Sequence, residues 1–134
     1  MLTRRGFVAC ALCAIGGFAA TGAIAQNAVT SGVKRRIIQQ TDGPAEGWVT
    51  VIVEAEIEAG AQVARHTHPG IESSYILEGS SELVIDGQEP RKLEPGAGFQ
   101  IPAGTIHSVR NGPAKTRLIA TYVVEKGKPL ASPA

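Results

Sequence analysis

"GAQVARHTHPGIESSYILEG", residues 60–79, contains two of the three histidines of this 134-residue chain. His66 and His68 are two positions apart, and on a β-strand the side chains at i and i+2 point to the same side. The Pro-Gly pair that follows bends the chain, so that Glu72 can return a carboxylate to the same point. The stretch therefore predicts two strands and a turn that bring two imidazoles and a carboxylate together.

The third histidine, His107, lies in a second stretch, "GAGFQIPAGTIHSVRN", residues 96–111. A strand that carries His107 across a barrel would complete a set of three nitrogens and one oxygen. Imidazole and carboxylate together suit Fe, Mn, Ni, Cu or Zn. Taken singly, a histidine in a β protein is more often a surface or hydrogen-bonded core residue, and Glu72 would be a surface carboxylate. Only the joint spacing favours a metal site.

The rest of the chain alternates with a period of two, which is typical of half-buried strands. In residues 48–60 one face collects five apolar side chains: Val49, Val51, Val53, Ala55 and Ile57. The Asp86-Gly87 pair predicts a tight turn between two strands. Residues 26–134 show no sustained 3.6-residue apolar period, so we predict an all-β sandwich or barrel. Strands are predicted at 34–40, 48–60, 63–66, 73–77, 82–85, 89–93, 98–101, 106–111 and 116–125.

Both ends of the predicted barrel, residues 48–125, carry extra segments. Residues 26–47 are expected to form an arm and a short edge strand, with the basic run Lys34-Arg35-Arg36 in solvent. The tail, residues 126–134, is punctuated by proline and is expected to lie across the surface or against a second subunit.

Residues 1–25 are predicted to be an export signal. Arg4 and Arg5 form a charged start, an apolar stretch follows, and Ala23-Ile24-Ala25 is a small-x-small cleavage site. The start resembles a twin-arginine signal, which predicts a periplasmic or secreted protein, with a Sec-type route left open. The alternative is an uncleaved membrane anchor of about 20 residues.

Removal of this segment would also exclude several classes of function. Cys10 and Cys13 are the only cysteines, so disulfide, thiolate and Cys-metal chemistry would leave with it. The 13 basic residues would fall to 11 against 12 acidic ones, a balance that argues against a nucleic-acid partner. No contact with the membrane is expected after cleavage.

The spacing of the two stretches resembles the two conserved barrel motifs of the cupin family. The first is Gly60-x5-His66-x-His68-x3-Glu72-x6-Gly79, and the second is Gly96-x5-Pro102-x-Gly104-x2-His107-x3-Asn111. The resemblance covers about residues 52–124, and the sixteen-residue spacer is similar to that of small single-domain bacterial cupins. It implies a jelly-roll (double-stranded β-helix) barrel with one divalent transition metal bound by His66, His68, Glu72 and His107. Asn111 would be structural.

Such a centre implies a dioxygenase-like oxidoreductase that acts on a small oxygenated compound, because four protein ligands leave coordination positions open. Glu72 could also leave the metal and act as a catalytic base. The alternatives are a non-catalytic binding protein and a redox-neutral lyase or isomerase. Candidate substrate-binding residues on the barrel wall are Ser74, Ile76, Phe99 and Tyr122, with Val63 and Ile101 as further wall residues.

Two further expectations concern the metal and the assembly. A protein folded before export would take its ion in the cytoplasm, which favours Fe or Mn, although affinity alone would favour Cu. Exposed sheet edges must be covered, so a homodimer is expected. Arg65, Tyr75 and Arg110 should point away from the metal by strand alternation.

Overall fold

The computed structural model describes residues 31–134, so the predicted export signal and the start of the arm lie outside the described residues. This part of the chain contains ten strands and no helix. No membrane-spanning helix is found within residues 31–134. The strands are β1 (Val33–Asp42), β2 (Trp48–Ile57), β3 (Gln62–Thr67), β4 (Gly70–Glu78), β5 (Ser81–Ile85), β6 (Arg91–Leu93), β7 (Gly98–Ile101), β8 (His107–Asn111), β9 (Thr116–Glu125) and β10 (Ser132–Pro133).

The strands form two five-stranded antiparallel sheets. Sheet I has the order β1-β2-β9-β4-β7, and sheet II has the order β10-β3-β8-β5-β6. Residues from both sheets join one buried apolar cluster, with Val53, Ile76 and Leu118 from sheet I and Val63 and Leu83 from sheet II. The predicted all-β jelly-roll barrel, closed around one core, is therefore confirmed.

The period of two explains how the strands divide the core from solvent. Every second residue of β2 is buried, from Val49 to Ile57, and β9 repeats the pattern from Thr116 to Val124. These two strands pair along their whole length, so their buried faces coincide. The predicted turn at Asp86-Gly87 is also present, since the amide of Gln88 donates to the carbonyl of Ile85 at 3.0 Å and β5 pairs with β6.

Strand β1 lies at the edge of sheet I, as predicted, but one of its basic residues is not in solvent as expected. Lys34 and Arg36 point outward, whereas Arg35 is half-buried and points into the barrel. Arg35 pairs with Ala55, which is a buried residue of β2, and paired residues on neighbouring strands share a face. The prediction that the whole run lies in solvent is therefore wrong at Arg35, because three consecutive charges conceal the alternation.

The tail returns to its own barrel. β10 pairs with β3, with Ser132 opposite Thr67 and Pro133 opposite His66, and Ala131 is buried. The tail therefore forms the edge of sheet II, beside the first histidine stretch.

Asn111 has the structural role that the sequence predicts. Its amide nitrogen donates to the carbonyls of Ile57 at 3.0 Å and Glu58 at 2.8 Å, and its oxygen accepts from the hydroxyl of Thr116 at 2.6 Å. These bonds hold the end of β8 to the end of β2 and the start of β9.

Candidate metal centre

Three histidine side chains meet inside the barrel, on the inner face of sheet II. His66 is in β3 and His107 is the first residue of β8; they are opposite each other in the ladder, with ring centroids 4.2 Å apart. His68 follows β3, and its ring lies 4.9 Å from that of His66 and 5.1 Å from that of His107. All three are buried, and their nitrogens lie within 4.8 Å of one another.

Each imidazole is oriented by a hydrogen bond from its Nδ1 to a backbone carbonyl. The nitrogen–oxygen distances are 2.7 Å from His66 to Ala64, 2.6 Å from His68 to Leu130 and 2.9 Å from His107 to Thr105. A carbonyl oxygen only accepts, so each Nδ1 must carry the proton. The Nε2 lone pairs are left free, which is the tautomer that metal-binding histidines use.

Glu72 reaches the rings of His68 and His107 from β4, on the opposite sheet. Its Oε2 lies 2.9 Å from Nε2 of His68 and 3.6 Å from Nε2 of His107. Its Oε1 accepts a hydrogen bond of 2.6 Å from the hydroxyl of Ser74, so the carboxylate is held in place.

The arrangement fits a metal ion. Nε2 of His68 is buried and has no hydrogen-bond partner within residues 31–134, although Oε2 of Glu72 is close. With Nδ1 protonated, both of these atoms are electron-pair donors, and they repel each other unless a proton or a metal ion lies between them. Three nitrogens and one oxygen form a donor set suited to Fe, Mn, Ni, Cu or Zn.

Burial and the neighbouring polar and charged groups shift the pKa values of three residues at the site. Burial, the largest effect, would raise the pKa of Glu72, but the neighbouring His107 and His68 rings and the Ser74 hydroxyl outweigh it and hold the pKa below its ordinary value. Burial, together with the charge of His107, lowers the pKa of His66 to about 4. Burial and the charge of Glu72 raise the pKa of Tyr122, and the guanidinium of Arg35 acts against them.

A small cavity of about 40 Å³ lies beside the histidines. This volume would hold a few water molecules or a small organic group. It is bounded by His66, Glu72 and His107 and by a mostly apolar wall: Val33, Arg35, Ala55, Ile57, Val63, Phe99, Val109, Leu118 and Tyr122.

The residues predicted to bind substrate fall into two groups. Phe99 and Tyr122 line the cavity, as does Val63, and the ring of Tyr122 packs 5.0 Å from that of His68. Ser74, Ile76 and Ile101 are buried but do not line it. Ser74 shares the inner face with Glu72, as predicted, and its hydroxyl donates a hydrogen bond to that carboxylate. The role of these residues in binding a substrate stays a prediction.

Arg35 lines the cavity and was not among the predicted site residues. One signal in the sequence could have found it, because Val33 and Arg35 lie on one face of a strand and Lys34 and Arg36 on the other. Arg65 and Arg110 behave as predicted, since they point outward and form exposed ion pairs with Asp86 and Glu82.

The fold and the site together define a jelly-roll barrel with a buried histidine-rich centre. The cupin domain family matches residues 53–124, more than half of the chain, and the protein therefore belongs to the cupin family.

Two curated relatives match part of the chain. One is a quercetin 2,3-dioxygenase from Bacillus subtilis, 34% identical over 74 residues, which are 54% of this chain and 22% of that protein. The other is the dimethylsulfoniopropionate lyase DddQ from Ruegeria pomeroyi, 38% identical over 52 residues, which are 39% of this chain and 26% of that protein. The matched parts thus span about a quarter of these relatives.

Solved structures show the same fold. The polyketide cyclase RemF from Streptomyces resistomycificus matches with a TM-score of 0.63 and 24% identity, over 79% of this chain and 73% of that one. KdgF from Halomonas sp. matches with a TM-score of 0.60 and 24% identity, over 73% of this chain and 85% of that one. At such identities the likeness concerns the fold alone.

Proposed function

We propose that the protein binds one divalent transition metal ion through His66, His68, Glu72 and His107 and acts as a dioxygenase-like oxidoreductase on a small oxygenated organic compound. The supporting observation is the convergence of the three histidine nitrogens with Oε2 of Glu72 in a buried site beside a cavity. The quercetin dioxygenase among the relatives supports the choice of reaction class.

The protein's own residues would perform distinct tasks around the ion. A bound redox metal would polarise a substrate oxygen and activate dioxygen. The three carbonyl-anchored imidazoles would hold the ion without reorganising. Glu72, once it leaves the ion, would accept a proton from the substrate at Oε2 while Ser74 holds Oε1. The apolar walls formed by Phe99 and Leu118 would exclude water.

A redox-neutral lyase reaction is the second candidate. It is supported by the similarity to the lyase DddQ, and by a carboxylate base that lies beside the metal ligands. In this reaction Glu72, once it leaves the ion, would remove a proton next to an activating group of the substrate. The electron pair of that C–H bond would form a double bond and expel the leaving group from the adjacent carbon, and Zn or Mn would suffice.

The test is elemental analysis of the natively expressed full chain, followed by oxygen-electrode assays with flavonols, diketones, thiols and organic acids. We expect about one Fe or Mn per chain and oxygen uptake with one substrate class. His107→Ala should lose both, whereas Arg65→Gln, which alters an outward ion pair, should keep both. Turnover without oxygen uptake would favour the lyase. Metal binding without any turnover would favour a non-catalytic protein and contradict the proposal.

We also propose that the protein is exported by the signal in residues 1–25 and is periplasmic or secreted. The metal would then be bound in the cytoplasm before export. The substrate of the protein would be a small molecule of the periplasm or the medium. Cell fractionation with wild-type and Arg4→Lys/Arg5→Lys chains tests this. Equal distribution of both chains between cytoplasm and periplasm would contradict a twin-arginine route.

A homodimer that pairs the edge strands is proposed as the assembly. Ile37 and Ile38, in the β1 edge strand, are 61% and 43% exposed, and a bulge between Ile37 and Gln39 places both in solvent. Light scattering should give twice the chain mass, and Ile37→Lys should reduce it. An unchanged mass in that variant would remove β1 from the interface.

A further inference from the structure

Arg35 is the cationic side chain that lines the metal-site cavity. It enters from the edge strand β1, and the same cavity is bounded by His66, Glu72, His107 and Tyr122. The side chain is half-buried, and its Nε is fully shielded from solvent. The guanidinium of Arg35 and the candidate metal ligands therefore border the same cavity.

The charge of Arg35 has no counter-ion in the part of the chain that the structure describes. The adjacent basic residues do: Lys34 pairs with Glu58 at 3.3 Å, and Arg36 pairs with Glu54 at 2.5 Å. Arg35 forms no ion pair with residues 31–134 and its Nε has no hydrogen-bond partner there, whereas the rest of its guanidinium lies within hydrogen-bonding reach of the Tyr122 hydroxyl. A buried donor on a charged group without a partner is costly, and such groups are usually satisfied by an acidic side chain, a bound ligand or an ordered water.

We propose that Arg35 binds the carboxylate of a small organic acid, and that an oxygen atom of the same acid outside this carboxylate reaches the metal ion. This inference rests on the proposed metal centre and adds the substrate class to it. The planar guanidinium edge formed by Nε and a terminal nitrogen matches the geometry of a carboxylate, so that each nitrogen can donate to one of its two oxygens. The small cavity restricts the acid to a few heavy atoms beside the ion.

The balance of charge at the site favours an anionic ligand over a neutral one. A divalent metal, the Glu72 carboxylate and the Arg35 guanidinium sum to a charge of +2, which a bound carboxylate lowers. The cavity wall offers mostly apolar side chains otherwise, among them Val33, Ala55 and Phe99, so a second carboxylate would find no partner there.

The experiment compares lactate with its neutral amide, lactamide, on the full chain loaded with Zn²⁺, which allows binding without redox turnover. Isothermal titration gives the ratio of the two affinities in wild type, Arg35→Gln and the matched control Arg36→Gln. Bonds between charged partners predict that Arg35→Gln lowers this ratio about 10- to 100-fold. Arg36→Gln, whose side chain points outward, should leave it within twofold.

A lactate-to-lactamide ratio that is equal in wild type and Arg35→Gln would overturn the proposal. Arg35→Lys keeps the charge without the planar edge and should give an intermediate ratio, so the test does not depend on one variant. Inorganic phosphate is the second probe, and an affinity for phosphate that depends on Arg35 as strongly as that for lactate would overturn the assignment to a carboxylate. Zinc content is measured separately, so loss of the metal centre itself would be recognised as failure of the proposed function.

Discussion

Single hydrogen bonds decide what the histidines and Glu72 can do. The three Nδ1–carbonyl bonds come from backbone groups, so no side-chain substitution removes an acceptor. The Ser74–Glu72 bond is different, because it joins two side chains on the same face of β4. It is therefore the contact around the site that mutation can test most cleanly.

Ser74→Ala should weaken metal binding about 10- to 100-fold, because the partner that orients a ligating carboxylate is lost. Ser73→Ala is the matched control: Ser73 lies next to Ser74 on β4 and accepts a bond from Gln100 on the outer face. Competition with a chelator of known affinity measures both variants. Equal affinities in the two variants would mean that Ser74 does not position Glu72.

The buried His66 predicts how the stability of the metal-free protein changes with pH. Burial lowers its pKa from 6.5 to about 4, so the unfolded chain binds a proton near pH 6.5 that the folded chain refuses until about pH 4. The free energy of unfolding should therefore decrease as pH falls through this window, by roughly 2–3 kcal/mol. The lowered pKa of Glu72 adds a further loss below its ordinary value of 4.5.

Urea unfolding of the chelator-treated protein at several pH values measures this dependence. His66→Gln should remove the part between pH 6.5 and 4 and leave the loss at lower pH, to which Glu72 and Glu54 contribute. Superimposable pH profiles for wild type and His66→Gln would contradict the assignment to His66.

Among the elements, the junction between β3 and β4 depends on close backbone packing. A Cβ on Gly70 would lie 2.0 Å from the carbonyl oxygen of Val123, so only glycine lets β4 begin against β9 at this point. Gly70 stands between His68 and Glu72, and this close approach turns the chain from sheet II into sheet I. The short spacing of the motif thus spans two sheets.

The tail is the element that fixes His68. Deletion of residues 130–134 removes the Leu130 carbonyl and should weaken metal binding about 10- to 100-fold, since ligand orientation is lost. Deletion of residues 132–134 removes β10 but keeps Leu130, and it should have the smaller effect. Chelator competition and circular dichroism measure affinity and folding. If both deletions bind metal as the full chain does, the tail has no part in the centre.

Prediction from the sequence succeeded for elements with local signals and failed where the partner is distant. Alternation located β2 and β9, and the motif spacing located the residues that the structure gathers at the site. The sequence does not predict the contact of the tail with His68, because His68 and Leu130 are 62 positions apart and no local sequence pattern links the two. Arg35 was missed because its inward direction depends on the register of β1 against β2.

At the scale of the molecule, the candidate centre joins the two sheets. The histidines come from the strands and turn of sheet II, and Glu72 comes from β4 of sheet I. Without an ion, the buried polar groups of this centre face one another across the core. With an ion, the same groups would link the sheets directly, so metal binding should be coupled to the stability of the whole barrel.

Metal binding should therefore raise the free energy of unfolding of the entire domain. At a free Zn²⁺ concentration 100 times the dissociation constant, binding to the folded state alone adds about 2.7 kcal/mol. Urea unfolding of residues 26–134, with and without metal, measures the gain, and amide exchange should slow in both β3 and β4. A His66→Ala/His107→Ala double variant should fold through its apolar strands but show no gain. An equal gain in that variant would place the stabilising ion elsewhere, and protection confined to sheet II would mean that Glu72 does not join the two sheets through the metal.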